Sequence, residues 1–523
     1  MKSLSGLVMG LLLLLSAGAF AADETTPRKP NIIYILCDDL GYGDVKCLNP
    51  DCKIATPHVD ALAKSGMTFT DAHSGSAVCT PTRYGVMTGR YAWRTKLQRG
   101  VLGGLSPSLI DPARMTVASL LKKEGYRTAC VGKWHLGLDW IKQPGKQVNE
   151  LNIESAQQVN NVDYSKPFGG GPLGAGFDEY FGISASLDMV PYTFLKNDRV
   201  AVLPTAEKTF PMMLGLLGGQ TRKGPAAPDF EAADVLPALT KEAIAFINRQ
   251  APDAHAGKPF FLYLPLASPH TPIVPTSEWQ GKSGLNPYAD FVMQTDDAVG
   301  QLMRTLDEQK LAENTLVIFT SDNGCSPQAN FGELKEKGHN PSYVFRGTKA
   351  DIFEGGHRVP FIVRWPAQVP AGKTSDQLTC LTDFFATAAA VAGADVPANA
   401  AEDSVNMLPA ITGKAHEPIR EAVVHHSING SFAIRRGNYK LEFCPGSGGW
   451  SEPKPGTKLA KELPEVQLYD LESDIGEQKN LHDAEPNVVR ELTRLLNRYF
   501  TIGRSTPGVP QKNDVEIPLV GNP

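Results

Sequence analysis

No Cys-x-x-Cys pair occurs anywhere in the 523 residues, which argues against a cysteine-bound zinc site. Positive charge is not in excess either. Lys plus Arg number 51 against 56 Asp plus Glu, a net charge of −5, so nucleic acid is not an expected partner. Internal repeats and long low-complexity segments are absent. No stretch approaches the ~20 apolar residues needed to cross a bilayer. The one apolar run near the start, Leu7 to Leu15, follows Lys2 and runs into Ala19-Phe20-Ala21. A short basic start, a brief apolar core and an A-x-A site predict a cleaved signal peptide over residues 1–21. The mature chain is therefore expected to be periplasmic or extracellular, with no membrane insertion after cleavage.

Eight cysteines in a chain this long do not make a disulfide scaffold. Cys47 and Cys52 lie in a turn-rich stretch and are positioned to pair in an oxidising compartment. Cys37, Cys130, Cys325 and Cys380 sit in or beside apolar segments and read as buried thiols. Cys79 stands apart because of its neighbours. Hydrophobic residues are 42% and charged residues 20% of the chain, ordinary for a globular protein with room for two domains.

Apolar strand-like runs alternate with helical patterns. Residues 31–36, 260–264 and 315–320 read as buried strands, and 67–72 as a further strand-like run. Helical periodicity covers 116–123, 238–247 and 288–306. This alternation predicts an α/β fold, a mainly parallel sheet flanked by helices. After about residue 410 the texture changes to a hairpin at 433–441, a strand at 466–471 and a helix at 486–499. The predicted organisation is a catalytic domain over 22–410 and a smaller C-terminal α+β subdomain over 411–523.

Two predicted strands run into polar turns. The first ends in Asp38-Asp39, ahead of Gly41-Tyr42-Gly43-Asp44; another ends in Ser321-Asp322-Asn323-Gly324. In open α/β sheets ligands bind at the carboxyl ends of strands. Three carboxylates and an amide oxygen form a hard, all-oxygen set suited to Ca²⁺ or Mg²⁺. Either segment alone is ordinary turn chemistry; both together favour a metal. Asp296-Asp297 is a contrasting pair. It falls inside a periodic helix, where neighbours point about 100° apart, and reads as a solvated face.

Cys79-Thr80-Pro81-Thr82-Arg83 is followed by Thr88-Gly89-Arg90. Pro81 suits the first turn of a helix, which puts Cys79 near a helix N-terminus, where a thiol is acidified and anions are favoured. Arg83 is one turn on. Spacing alone leaves two readings open, a nucleophile beside an anion-stabilising group and a buried structural cysteine.

These segments resemble the type I, formylglycine-dependent sulfatases, arylsulfatase-like members of the alkaline-phosphatase superfamily. The resemblance continues in order through Gly132-Lys133-Trp134-His135-Leu136-Gly137, Pro269-His270-Thr271-Pro272 and Arg346-Gly347-Thr348-Lys349. Glu354-Gly355-Gly356-His357-Arg358-Val359-Pro360 and Leu468-Tyr469-Asp470-Leu471 extend it over nearly the whole mature chain. It implies an alkaline-phosphatase-like sheet and hydrolysis of sulfate monoesters. Cys79 would be converted to Cα-formylglycine by a formylglycine-generating maturation enzyme, its hydrated aldehyde being the nucleophile. Asp38, Asp39, Asp322 and Asn323, with residue 79, would hold one Ca²⁺. Arg83 and Lys133 would orient the hydrate, and Lys133 and Lys349 would neutralise sulfate oxygens. His270 would be the acid for the leaving alcohol and His135 the base that lets sulfate go. Histidines suit such transfers because their pKa lies near neutrality.

The substrate is expected to be a sulfated glycan. The segment 184–199, with Asp188, Tyr192, Asn197 and Asp198, reads as a sugar-facing loop or as a plain connection. His425-His426 and the Gly/Ser stretch up to Trp450 are candidates to reach the pocket from the smaller domain. The competing readings are a phosphonate or phosphodiester hydrolase on the same scaffold and a non-catalytic anion-binding protein.

Overall fold

A computed structural model describes residues 28–216 and 219–521; the leader assigned to 1–21 lies outside the described residues. At its centre is a ten-stranded sheet. Five adjacent strands are parallel: Thr315–Ser321, Asn31–Cys37, Phe260–Pro265, Arg127–Lys133 and Glu179–Ile183, in that spatial order. On one side Phe361–Arg364 adds antiparallel, followed by Met67–Phe69 and the edge strand Lys373–Ser375; on the other the antiparallel Leu195–Lys196/Arg199–Val200 hairpin closes the sheet.

The mainly parallel arrangement follows from strand composition. Every residue of Asn31–Cys37 is buried, so apolar side chains must be covered on both faces. Ile33 and Ile35 pack with helices Pro57–Lys64, Val235–His255 and Pro287–Glu308. Ile32, Tyr34 and Leu36 point the other way, towards helices Cys79–Thr88, Val117–Lys123 and Phe384–Ala392. None of the helices among the described residues is long and apolar enough to cross a membrane.

The smaller unit is a four-stranded antiparallel meander, Val423–His426, Phe432–Arg436, Tyr439–Glu442 and Gln467–Asp470. One face is covered by the amphipathic helix Pro486–Ile502, through Leu492, Leu496, Tyr499 and Phe500. Its other face meets the main sheet unit through Ile352 and Phe353.

Two expectations fail. All eight cysteines are free, Cys47 exposed and Cys52 buried, so they form no disulfide. Asp296 is not on a solvated face. It is 4% exposed, and its carboxylate accepts the backbone N–H groups of His58 and Val59 at 3.1 and 2.8 Å. Another helix's unpaired first-turn amides draw it inward, which periodicity within its own helix does not reveal.

Candidate active site

The carboxyl ends of four neighbouring parallel strands deliver the polar residues. Asp38 and Asp39 follow Asn31–Cys37, and Asp322 and Asn323 follow Thr315–Ser321. Lys133 ends Arg127–Lys133 with His135 just beyond, and His270 lies beyond Phe260–Pro265. Cys79 opens its helix with Pro81 at the third position, and Lys349 arrives from a loop.

The carboxylates and cations interlock. Arg83 donates to Asp322 through Nε at 3.0 Å and Nη2 at 2.7 Å, and to the Lys133 carbonyl at 3.0 Å. Lys133 Nζ lies 2.6 Å from Asp38 Oδ2, and Lys349 Nζ 2.6 Å from Asp39 Oδ1. Asn323 Nδ2 donates to Asp39 Oδ1 at 2.7 Å, and His270 Nε2 stands 3.6 Å from Asp39 Oδ2. Three buried carboxylates thus face three buried cations.

Burial alone would raise the Asp38 carboxyl, but Lys133, His270, Arg83 and Lys349 hold it well below the usual range. Asp322 goes the other way, pushed up by burial and by the charge of Asp38. For Cys79 burial also dominates and raises the thiol, with Lys133 and Lys349 pulling against it. The acidified thiol expected from the helix N-terminus is therefore corrected: desolvation outweighs the two neighbouring lysines.

Burial and the charge of Lys133 keep His135 neutral, its pKa well below the ordinary value. Its Nε2 donates to the Leu102 carbonyl at 2.8 Å, which leaves the Nδ1 lone pair facing Ser186 Oγ at 3.4 Å. His270 Nδ1 donates to the Thr271 carbonyl at 2.6 Å, leaving Nε2 towards the carboxylates. Asp39 and His135 both have left-handed backbone, at φ 64° and 56°. Such geometry costs roughly 1–3 kcal/mol each and persists where surroundings enforce it. Here Asp322 Oδ1 accepts the Asp39 amide at 3.2 Å and the Ser184 carbonyl accepts that of His135 at 3.0 Å.

The residues fit a hard divalent cation. Asp38 Oδ1 and Asn323 Oδ1 are buried oxygens without a hydrogen-bond partner among the described residues. Acceptor oxygens left bare in this way are costly unless a cation takes them. Asp38, Asp39 and His270 offer atoms within 4.8 Å of one another. Gly324 is needed beside them, because a Cβ there would lie 1.9 Å from the Gly355 carbonyl oxygen.

The sequence missed a supporting layer. Asp44 accepts the Gly41 amide at 2.8 Å, the Tyr288 hydroxyl at 2.5 Å and His339 Nε2 at 2.8 Å, pinning the loop that carries Asp38 and Asp39. Tyr288 and His339 come from distant segments with no local signal.

The pocket walls only partly follow expectation. Ser184 and Ser186 do meet His135, but Asp188 pairs with Arg222, Asn197 accepts the Tyr180 amide at 3.1 Å and Asp198 pairs with Arg199 in the sheet-edge hairpin. His425 does not reach the pocket. It is fully buried at the domain junction, stacked 3.8 Å from the His357 ring. The Gly/Ser stretch instead wraps Asp351, which accepts the Trp450 and Ser451 amides at 2.7 and 3.0 Å, two residues from Lys349.

Comparison with known proteins matches residues 30–394 to the Sulfatase family and residues 348–446 to "N-sulphoglucosamine sulphohydrolase, C-terminal". An N-acetylgalactosamine-6-O-sulfatase of Bacteroides thetaiotaomicron is 36% identical over 511 residues, covering 91% of this chain and 94% of that protein. Human arylsulfatase A is 31% identical, covering 94% and 90% respectively. A solved structure from work on the metabolism of multiple glycosaminoglycans by B. thetaiotaomicron superposes with a TM-score of 0.76 at 34% identity. It covers 90% of this chain and 99% of its own.

Proposed function

The chain belongs to the sulfatase family and is a sulfuric ester hydrolase, and we propose that it removes a 6-O-sulfate from an N-acetylhexosamine of a sulfated glycan, with residue 79 as nucleophile. The observation that carries the reading is the closed set of Arg83, Lys133 and Lys349 with two histidines around buried residue 79. The bacterial relative named for N-acetylgalactosamine-6-O-sulfate supports the choice of sugar.

Residue 79, once converted to formylglycine by a maturation enzyme, supplies a hydrated aldehyde in place of a thiol that burial keeps protonated. Asp38, Asp39, Asp322 and Asn323, with residue 79, would hold a Ca²⁺, which supplies Lewis-acid stabilisation of negative charge on sulfate oxygens. Lys133 and Lys349 bind and neutralise those oxygens as charge builds. His270 Nε2, its ring fixed through Nδ1, gives its proton to the departing alcohol oxygen. His135 Nδ1, the free lone pair of a neutral ring, takes a proton from the second hydroxyl at residue 79. We also infer export, from residues 1–21, and the domain division near residue 410.

The test is a peptide mass at residue 79 together with sulfate release. Enzyme made with a formylglycine-generating enzyme should carry the aldehyde or its hydrate and desulfate N-acetylgalactosamine-6-sulfate. Full activity with unmodified Cys79 would sink the mechanism.

A further inference from the structure

We propose that Asp188 and Arg222 form a built subsite that reads two neighbouring hydroxyls of the sugar whose sulfate is being removed. The inference rests on the glycan reading above and adds the residues that would select the sugar.

The pair joins two chain segments that each adjoin the active site. Asp188 lies in a turn in which the Met189 amide bonds the Ser186 carbonyl at 2.9 Å, two residues past the hydroxyl that faces His135 Nδ1. Arg222 belongs to a different segment, tied to the stretch after His270. There the Ile273 amide bonds the Met212 carbonyl at 2.8 Å, and the Leu214 amide bonds the Ile273 carbonyl at 3.1 Å. The segment of Asp188 therefore adjoins His135, and the segment that leads to Arg222 adjoins the stretch after His270.

Both backbones are locked by one group. The Tyr192 hydroxyl makes contacts of 3.2 Å to the Asp188 carbonyl, 2.9 Å to Thr221 Oγ1 and 2.5 Å to the Arg222 carbonyl.

The pair is also incomplete as a salt bridge. Arg222 Nη1 reaches Asp188 Oδ2 at 2.6 Å and the Asp188 carbonyl at 3.2 Å. Among the described residues its Nε and Nη2 make no hydrogen bond, and Asp188 Oδ1 is buried without a partner. A two-pronged Arg–carboxylate pair would have satisfied both oxygens. Here one buried acceptor is left over, which is costly, while Nε and Nη2 belong to an Arg222 side chain that is 39% exposed and open to a ligand. Behind them, Glu154 is 6% exposed with Oε1 also unpartnered, its carboxyl raised by burial.

A carboxylate acceptor beside guanidinium donors complements adjacent hydroxyls, one donating and one accepting, as on a pyranose ring. An aryl sulfate has no such hydroxyls. The pair would thus serve sugar esters and do nothing for a flat aryl ester.

The experiment compares kcat/KM on N-acetylgalactosamine-6-sulfate and on 4-nitrophenyl sulfate for the converted wild type, Asp188→Asn and Arg222→Ala. Aryl ester turnover reports folding and conversion. The ratio of sugar to aryl kcat/KM should fall by about 30- to 100-fold in each variant, mainly through KM. Removing one ring hydroxyl from the sugar should cost the wild type a similar factor and the matching variant little more. Equal losses on both esters, or an unchanged ratio, would overturn the pair's role. Wild-type enzyme active on the aryl ester but inert on sugar esters would overturn the glycan reading and the pair with it.

Discussion

Burial raises the Cys79 thiol, so at neutral pH an unconverted side chain is a protonated, poorly nucleophilic group. Cys79→Ala is accordingly expected to lower kcat/KM on any sulfate ester by at least ~10⁴-fold, with the fold intact by circular dichroism. The bare oxygens of Asp38 and Asn323 lead to a second expectation that does not depend on turnover. Adding Ca²⁺ to chelator-treated protein should raise the melting temperature, since a ligand present at ~100 times its Kd stabilises by about 2.7 kcal/mol. Asn323→Ala should shrink that rise. A melting temperature indifferent to Ca²⁺ would refute the cation site.

Helix Pro57–Lys64 begins without a side-chain cap of its own, since Thr56 makes none, and borrows the carboxylate of Asp296 from helix Pro287–Glu308. The two elements are thereby clamped through backbone amides as well as apolar packing. Burial pushes the Asp296 carboxyl up to about 7, against a normal 3.8. The folded chain thus holds this proton more tightly than the unfolded chain does. Its contribution to stability must then fall as pH rises from about 4 to about 7, by at most ~4 kcal/mol at 1.36 kcal/mol per pH unit. Asp296→Asn cannot titrate. Urea melts at pH 4 and pH 8 should therefore show the stability difference moving against the wild type at the higher pH. A pH-independent difference would remove Asp296 from the account.

At the scale of the whole molecule, the two units are joined by buried charge as well as by apolar surface. Lys440 of the small sheet is fully buried, 2.7 Å from Glu477, 3.2 Å from Glu442 and 3.3 Å from Glu354, and donates to the Ile352 carbonyl at 2.8 Å. Removing one partner from such a cluster leaves uncompensated buried carboxylates. Lys440→Met should therefore destabilise by about 3–5 kcal/mol, measured as a shift in the urea midpoint. A neutral effect would mean that apolar packing alone fastens the units. Arg358 and Arg435 pair with Asp71 at the same junction, and His73, His357 and His425 fill the space between, all three held neutral by burial.

The sequence alone determined the alternation of buried strands and amphipathic helices, because burial on both faces demands runs such as Ile32–Leu36. It also pointed to candidate site residues, Asp38-Asp39 and Asp322-Asn323 from the ends of predicted strands and Lys133, His135 and His270 through the family resemblance, and these follow strands whose carboxyl ends share one rim. Tertiary structure decided what depends on groups far apart in the chain. Asp296 turned inward to meet amides from residues 58 and 59, and Tyr288 and His339 closed on Asp44. Asp188 met Arg222 from a separate segment, and His425 entered the domain junction instead of the site. Hydrogen bonds and desolvation act over a few ångströms, and only the folded chain sets which distant residues come that close.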